Sequence, residues 1–88
     1  MNSMVFLKEK DDNHVVYRYS SDVTYFRGKG EKVVSDGEIE CLLPTEEFIT
    51  LKKATHDESG FRAEWLYPHL WGLIFMENCP ERRFVATG

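Results

Sequence analysis

Residues that could bind a metal or transfer a proton cluster at one point of the chain. His56, Asp57 and Glu58 are consecutive, and His69 follows later in the sequence. Consecutive side chains point in different directions, and neither an HxxxH nor an HExxH spacing places two metal ligands on one helix face. We therefore predict solvated charges at a helix end, with no metal site and no bound cofactor.

A short glycine-lysine segment, Gly28-Lys29-Gly30, resembles part of a phosphate-binding loop. Glycines let backbone amides approach an anion, and a lysine adds positive charge. The spacing matches neither GxxxxGK[ST] nor GxGxxG, and no helix clearly follows the segment. The turn chemistry of glycine favours a hairpin tip instead.

The two cysteines, Cys41 and Cys79, are the candidate nucleophiles. A catalytic thiol needs a base within hydrogen-bond reach and a lowered pKa, and neither cysteine lies in a motif that supplies them. Cys41 alternates with Ile39 and Leu43 along a predicted strand, so we expect it to face inward. Both cysteines are predicted to be buried thiols rather than a disulfide. We expect no catalytic residue, although an enzyme with a site between subunits remains a less favoured alternative.

Two aromatic-arginine segments could stack nucleic-acid bases on a sheet face. They are Tyr17-Arg18-Tyr19 and Tyr25-Phe26-Arg27. In each segment, strand alternation places the arginine opposite at least one aromatic ring, and the chain carries a net charge of -4. The acidity is concentrated in residues 31–64, which hold nine acidic and four basic residues. Since a duplex-binding protein needs a basic face, we expect core packing and no nucleic-acid partner.

Length and composition indicate one folded domain over residues 1–88. The chain is 42% hydrophobic and 30% charged, which is ordinary for a globular protein. The apolar run near residues 70–76 is far shorter than the ~20 residues that span a bilayer, and the first residues do not resemble a signal peptide. We expect a soluble cytoplasmic protein that has no membrane partner.

Period-two alternation predicts most of the strands. It is clearest over His14–Ser20, and the Asp36-Gly37 pair is typical of a hairpin turn before the next strand. Lys32–Ser35 fits either a short strand or an extended loop. The other predicted strands are Met4–Leu7, Val23–Arg27, Glu38–Leu43 and Phe84–Thr87.

Helical signals follow the central strands. Residues 44–47 are predicted to open a helix capped by Thr45, with Glu46 and Glu47 suited to its first turn. Its inward face would comprise Phe48, Leu51, Ala54 and Thr55.

A second helical segment covers residues 59–78, where Pro68 either kinks the helix or begins a new one. We favour a first turn over Ser59–Leu66 and a main helix over Pro68–Asn78. The predicted fold is α+β. A mostly antiparallel sheet of about four to five strands carries two helical segments on one face, in the order β-β-β-(β)-β-α-α-β.

The second helical segment carries two apolar stripes. Leu66, Leu70, Leu73 and Ile74 have the spacing of a face that packs on a core. Beside it, aromatic residues form a second stripe that is either wrapped by the domain or is an interface, because such side chains are enriched in protein contacts. The predicted anchors are Trp65, Tyr67, Trp71 and Phe75.

These patterns predict a small module that binds either another protein or a second copy of itself, which would form a homodimer, without a small-molecule ligand. The acidic middle of the chain would supply a charged rim, formed by Glu38, Glu40, Glu46 and Glu47. An alternative is an acidic regulator that uses these same glutamates to neutralise a basic partner, as immunity proteins do.

Overall fold

An antiparallel sheet with a helix across one face forms the fold. The computed structural model describes residues 1–23, 28, 30 and 32–87. Because the fold combines an antiparallel sheet with a helix, the predicted α+β class is confirmed. The elements in these residues are β1 (Asn2–Lys10), β2 (His14–Tyr19), β3 (Gly37–Leu42), β4 (Glu47–Lys52), α1 (Phe61–Phe75) and β5 (Arg82–Ala86).

The five strands lie in the order β4-β3-β2-β1-β5, and every neighbouring pair is antiparallel. The first four strands form a meander, in which each strand pairs with the next. Helix α1 then carries the chain from β4 at one edge of the sheet to β5 at the other. The helix therefore crosses one sheet face, and its buried residues face the strands.

Strand alternation determines which residues form the core. Val15 and Tyr17 on β2 lie beside Cys41 and Ile39 on β3, and all four point toward α1. The inward orientation that we predicted for Cys41 is thus confirmed, as is the core packing of Tyr17 and Tyr19. The buried residues of α1 are Ala63, Leu66, Leu70, Leu73 and Ile74.

The helix predicted to open at residues 44–47 is wrong, because a hairpin occupies its place. Residues 43–46 form the turn, and β4 follows immediately. Pro44 and Thr45 suit a turn as well as a helix start. Pairing with β3 decides between them, because β-branched and aromatic side chains between Phe48 and Leu51 pack well in a strand.

Of the inward face predicted for that helix, Phe48 and Ala54 do contact the core, whereas Leu51 and Thr55 do not. Phe48 pairs with Cys41 and packs against the core, whereas Leu51 is 51% exposed. Ala54 is buried and Thr55 is exposed, and both lie beyond the end of β4.

The second helical segment is one continuous helix rather than a turn and a separate helix. Pro68 lies inside α1. Its ring removes the N–H that would bond to the carbonyl of Glu64. Both residues are exposed, so water can satisfy that carbonyl and the helix continues.

Asp36-Gly37 is not a hairpin turn, because β3 begins at Gly37 and pairs with β2. Glycine is required there for a different reason, since a Cβ atom would overlap the ring of Tyr19. Residues 32–36 form no strand. The other predictions between β2 and β3 lie partly or wholly outside the described residues: the strand over Val23–Arg27, the aromatic segment Tyr25-Phe26-Arg27 and the hairpin tip Gly28-Lys29-Gly30.

Asp57 is buried, and it anchors the start of α1. Its Oδ1 accepts a hydrogen bond from the backbone N–H of Arg62 at 3.0 Å, and its Oδ2 accepts one from Ala63 at 3.2 Å. The Tyr19 hydroxyl also donates to Oδ2, at 2.6 Å. The solvated charge cluster predicted at residues 56–58 is therefore wrong for Asp57, whereas His56 and Glu58 are exposed.

Candidate functional site

The solvent-facing side of α1 is mostly apolar, and Glu64 is the charged residue among its exposed positions. Trp71, Phe75 and Met76 are 40%, 37% and 75% exposed, and Pro68 is also exposed. A helix packed on one side only normally presents polar residues to water. We use the term outer patch for five residues of this side: Pro68, Trp71, Gly72, Phe75 and Met76.

Trp71 is held in one orientation by the β3–β4 turn. Its Nε1 donates a hydrogen bond to Oε1 of Glu46 at 2.6 Å, and its ring centroid lies 5.4 Å from that of Phe75. Glu46 has a φ of 58°, a left-handed conformation that is unfavourable for a residue with a side chain. The turn therefore holds a strained residue at the position where its carboxylate meets the indole.

Tyr67 lies on the same side of α1 but is fastened within the domain. Its ring stacks on Phe48 with centroids 5.4 Å apart, and its hydroxyl lies 2.5 Å from Oγ1 of Thr50. Tyr67 thereby fixes the helix to β4, next to the exposed rings of Trp71 and Phe75.

Trp65 lies on the other flank of α1. Its ring packs against that of His69 at a centroid distance of 4.9 Å, and it is half-buried against the core. Of the four predicted anchors, the structure brings Trp71 and Phe75 together in the outer patch. Tyr67 supports this pair, and Trp65 is apart from it.

Gly72 lies at the centre of the outer patch and has open space above it. A Cβ atom built at this position would meet nothing within 4 Å among the described residues. Glycine inside a helix lowers stability relative to alanine, and packing within the described chain gives no reason for it here. The sequence did not identify Gly72 as a candidate site residue, because a single glycine inside a helix forms no repeating pattern.

The four residues of the predicted acidic rim do not form one surface. Glu38 accepts a hydrogen bond from Lys8 at 2.8 Å, which lowers the pKa of its carboxyl group, and Glu40 lies 2.7 Å from Nδ1 of His14. Both alternate with inward residues of β3 and thus face away from α1. Glu46 lies beside Trp71, and Glu47 is exposed at the start of β4.

His14 is surrounded by three carboxylates. In addition to the Glu40 contact at Nδ1, its Nε2 lies 3.3 Å from oxygens of both Glu9 and Asp11 but forms a hydrogen bond with neither. The Glu40 hydrogen bond raises the pKa of the imidazole above its ordinary value, and the charges of Asp11 and Glu9 act in the same direction. This cluster favours a protonated histidine that joins β1, β2 and β3.

Both cysteines are free and buried, as predicted. Burial raises the pKa of Cys41 to about 11, which keeps the thiol protonated and unreactive. Among the described residues, no group of three or more histidine, cysteine, aspartate or glutamate side chains could hold a metal ion. No helix in that part of the chain is long and apolar enough to cross a membrane.

Two features of the site were missed by sequence reasoning. Glu46 was assigned to the first turn of a helix, so its contact with Trp71 could not be foreseen. Asp57 was treated as a solvated charge, because it lies three residues before the N-cap residue Gly60 and therefore matches no N-cap motif.

Comparisons of this chain with protein-family models, with curated proteins and with solved structures find no match.

Proposed function

We propose that this protein is a protein–protein interaction module that makes contact through the outer patch of α1. The observation that carries the proposal is the exposed pair Trp71 and Phe75, with the indole held in place by Glu46. Tryptophan and other aromatic residues dominate the binding energy of many interfaces, and a ring already held in position loses less entropy on binding.

The composition of the patch supports an apolar contact rather than an electrostatic one. None of the five patch residues is charged, and Glu46 is already occupied by the indole. The partner surface that fits such a patch is apolar, with room for two aromatic rings. No catalytic step is part of this proposal.

Replacing Trp71 with alanine tests the proposal. The variant should weaken association with a protein partner or with a second copy by about 2 kcal/mol or more, the range of interface hot spots. It should leave the fold intact, because the ring lies outside the buried core. The measurements are light scattering, titration of any partner obtained, and urea unfolding.

Two control variants make the result specific. Leu70→Ala removes the adjacent core residue, which is 1% exposed, and should destabilise the fold by about 2–5 kcal/mol. Leu51→Ala removes an exposed apolar side chain of β4 and should leave association unchanged. The proposal fails if Trp71→Ala destabilises the fold as Leu70→Ala does while association persists, or if no association depends on Trp71.

A further inference from the structure

We infer that a second copy of this chain occupies the outer patch, with the two α1 helices crossing at Gly72 about a two-fold axis. The inference rests on the proposed function and names the partner. The inference is based on Gly72, a glycine on the exposed face of the helix that is surrounded by larger side chains.

The position of Gly72 favours close approach of another backbone. Within the described part of the chain, nothing lies within 4 Å of a Cβ atom built at Gly72, and its neighbours one turn away are Pro68 and Met76. Trp71 and Phe75 border the same gap. A small residue among larger ones forms the kind of hole into which a neighbouring helix packs, and glycine lets the two helix axes come closest.

The spacing along the outer side of α1 suits a helix as the occupant. Phe61, Pro68 and Phe75 are exposed and recur at intervals of seven residues, and Gly72 lies four residues after Pro68. This is the apolar repeat of a helix that packs against another helix. Helix α1 therefore has one such stripe against the sheet and another facing outward.

The charge and the area of the outer patch are compatible with self-association. A two-fold contact brings each patch against its own copy, and the five patch residues carry no charge that would repel. Two carboxylates border the patch: Glu46, which accepts the hydrogen bond from Trp71, and the exposed Glu64 one turn before Pro68. At about 200 Å² per complete side chain, the exposed parts of Trp71, Phe75 and Met76 amount to roughly 300 Å². These three side chains alone would bury roughly 600 Å² in a dimer of two copies, and Pro68 and Gly72 add to that area, which is the size of a weak, transient interface. We therefore expect a weak, reversible dimer.

The first test is molar mass measured by light scattering over a range of concentrations, for wild type and for Gly72→Leu. Wild type should pass from monomer to dimer. The leucine side chain has space in the monomer but fills the gap that the partner helix needs, so the dissociation constant should rise at least tenfold. Thermal unfolding at a concentration where both proteins are monomeric should show that Gly72→Leu is no less stable than wild type.

A cysteine cross-link tests the crossing point. Helix axes pack about 8–10 Å apart, and Cα atoms lie about 2.3 Å from each axis. At the crossing point the two Cα atoms would be roughly 3–5 Å apart, which overlaps the lower part of the range that a disulfide spans. Gly72→Cys should therefore form a disulfide-linked dimer under mild oxidation. Glu81→Cys, an exposed position outside the patch, should not, and the native thiols are buried.

The outcomes separate this inference from the proposed function. A wild-type protein that stays monomeric at every concentration, or a dimer unaffected by Gly72→Leu and not cross-linked by Gly72→Cys, overturns the inference. If that monomer binds a different protein through Trp71, the proposed function stands without self-association. If no association of either kind depends on Trp71, both fail.

Discussion

At the scale of single residues, Asp57 links the helix to the sheet. It accepts two backbone hydrogen bonds at the start of α1 and a third from Tyr19. Asp57→Ala would leave these buried donors unsatisfied, so we expect a loss of about 2–3 kcal/mol in the free energy of unfolding. Urea unfolding measures it, with the exposed neighbour Glu58→Ala as the control, which should change stability by less than about 0.5 kcal/mol. Equal effects of the two variants would contradict the anchoring role.

His14 makes stability depend on pH. Its pKa is raised in the folded state by Glu40, with Asp11 and Glu9 also facing the ring. Because the pKa is raised in the folded state, the protonated histidine stabilises the fold. Its contribution to the free energy of unfolding is fully present below pH 6.5 and is lost as pH rises through the folded-state pKa. The urea concentration at the unfolding midpoint should therefore be lower above pH 6.5 than below it. This difference should be smaller in His14→Gln than in wild type. The control is His69→Gln, which lies on α1 rather than among these carboxylates. An unchanged decline in His14→Gln would contradict this account.

At the scale of elements, the β3–β4 turn couples a strained backbone to the outer patch. Glu46→Gly should relieve the left-handed φ, worth about 1 kcal/mol, and remove the bond to Trp71. We therefore expect stability to stay within about 1 kcal/mol of wild type while association weakens about fivefold, because the indole is no longer held. Urea unfolding and light scattering measure the two quantities. An unchanged dissociation constant would show that Glu46 does not position Trp71 for binding.

Local sequence pattern predicted some elements well and others poorly. Alternation located β2 and β3, since each buries every second residue under α1. It failed at residues 44–52, where a proline and a threonine suit both a helix start and a turn, and where pairing with the distant β3 decides the outcome. The sequence also predicted a break in the helix at Pro68. The helix continues because Pro68 is exposed, which local sequence does not reveal. The core stripe of α1 was visible in sequence, but the contact between Glu46 and Trp71 depended on the hairpin.

At the scale of the whole molecule, an acidic chain presents an uncharged patch. Each copy carries a net charge of -4, so two copies repel weakly at long range. Added salt screens this repulsion, and we expect it to leave dimerisation unchanged or slightly stronger. Light scattering at low and high salt measures the effect. A marked weakening of association by salt would indicate opposite charges in contact and favour the acidic regulator of a basic partner.

The most direct measurement compares two phenylalanines. Phe75 lies in the outer patch and is 37% exposed, whereas Phe84 on β5 is 51% exposed and lies outside the patch. Sedimentation equilibrium of Phe75→Ala and Phe84→Ala beside wild type separates patch-specific contact from general surface hydrophobicity. We predict that Phe75→Ala weakens association at least tenfold, about 1.4 kcal/mol, and that Phe84→Ala leaves it unchanged. Equal effects of the two truncations, or a larger effect of Phe84→Ala, would contradict an interface centred on α1.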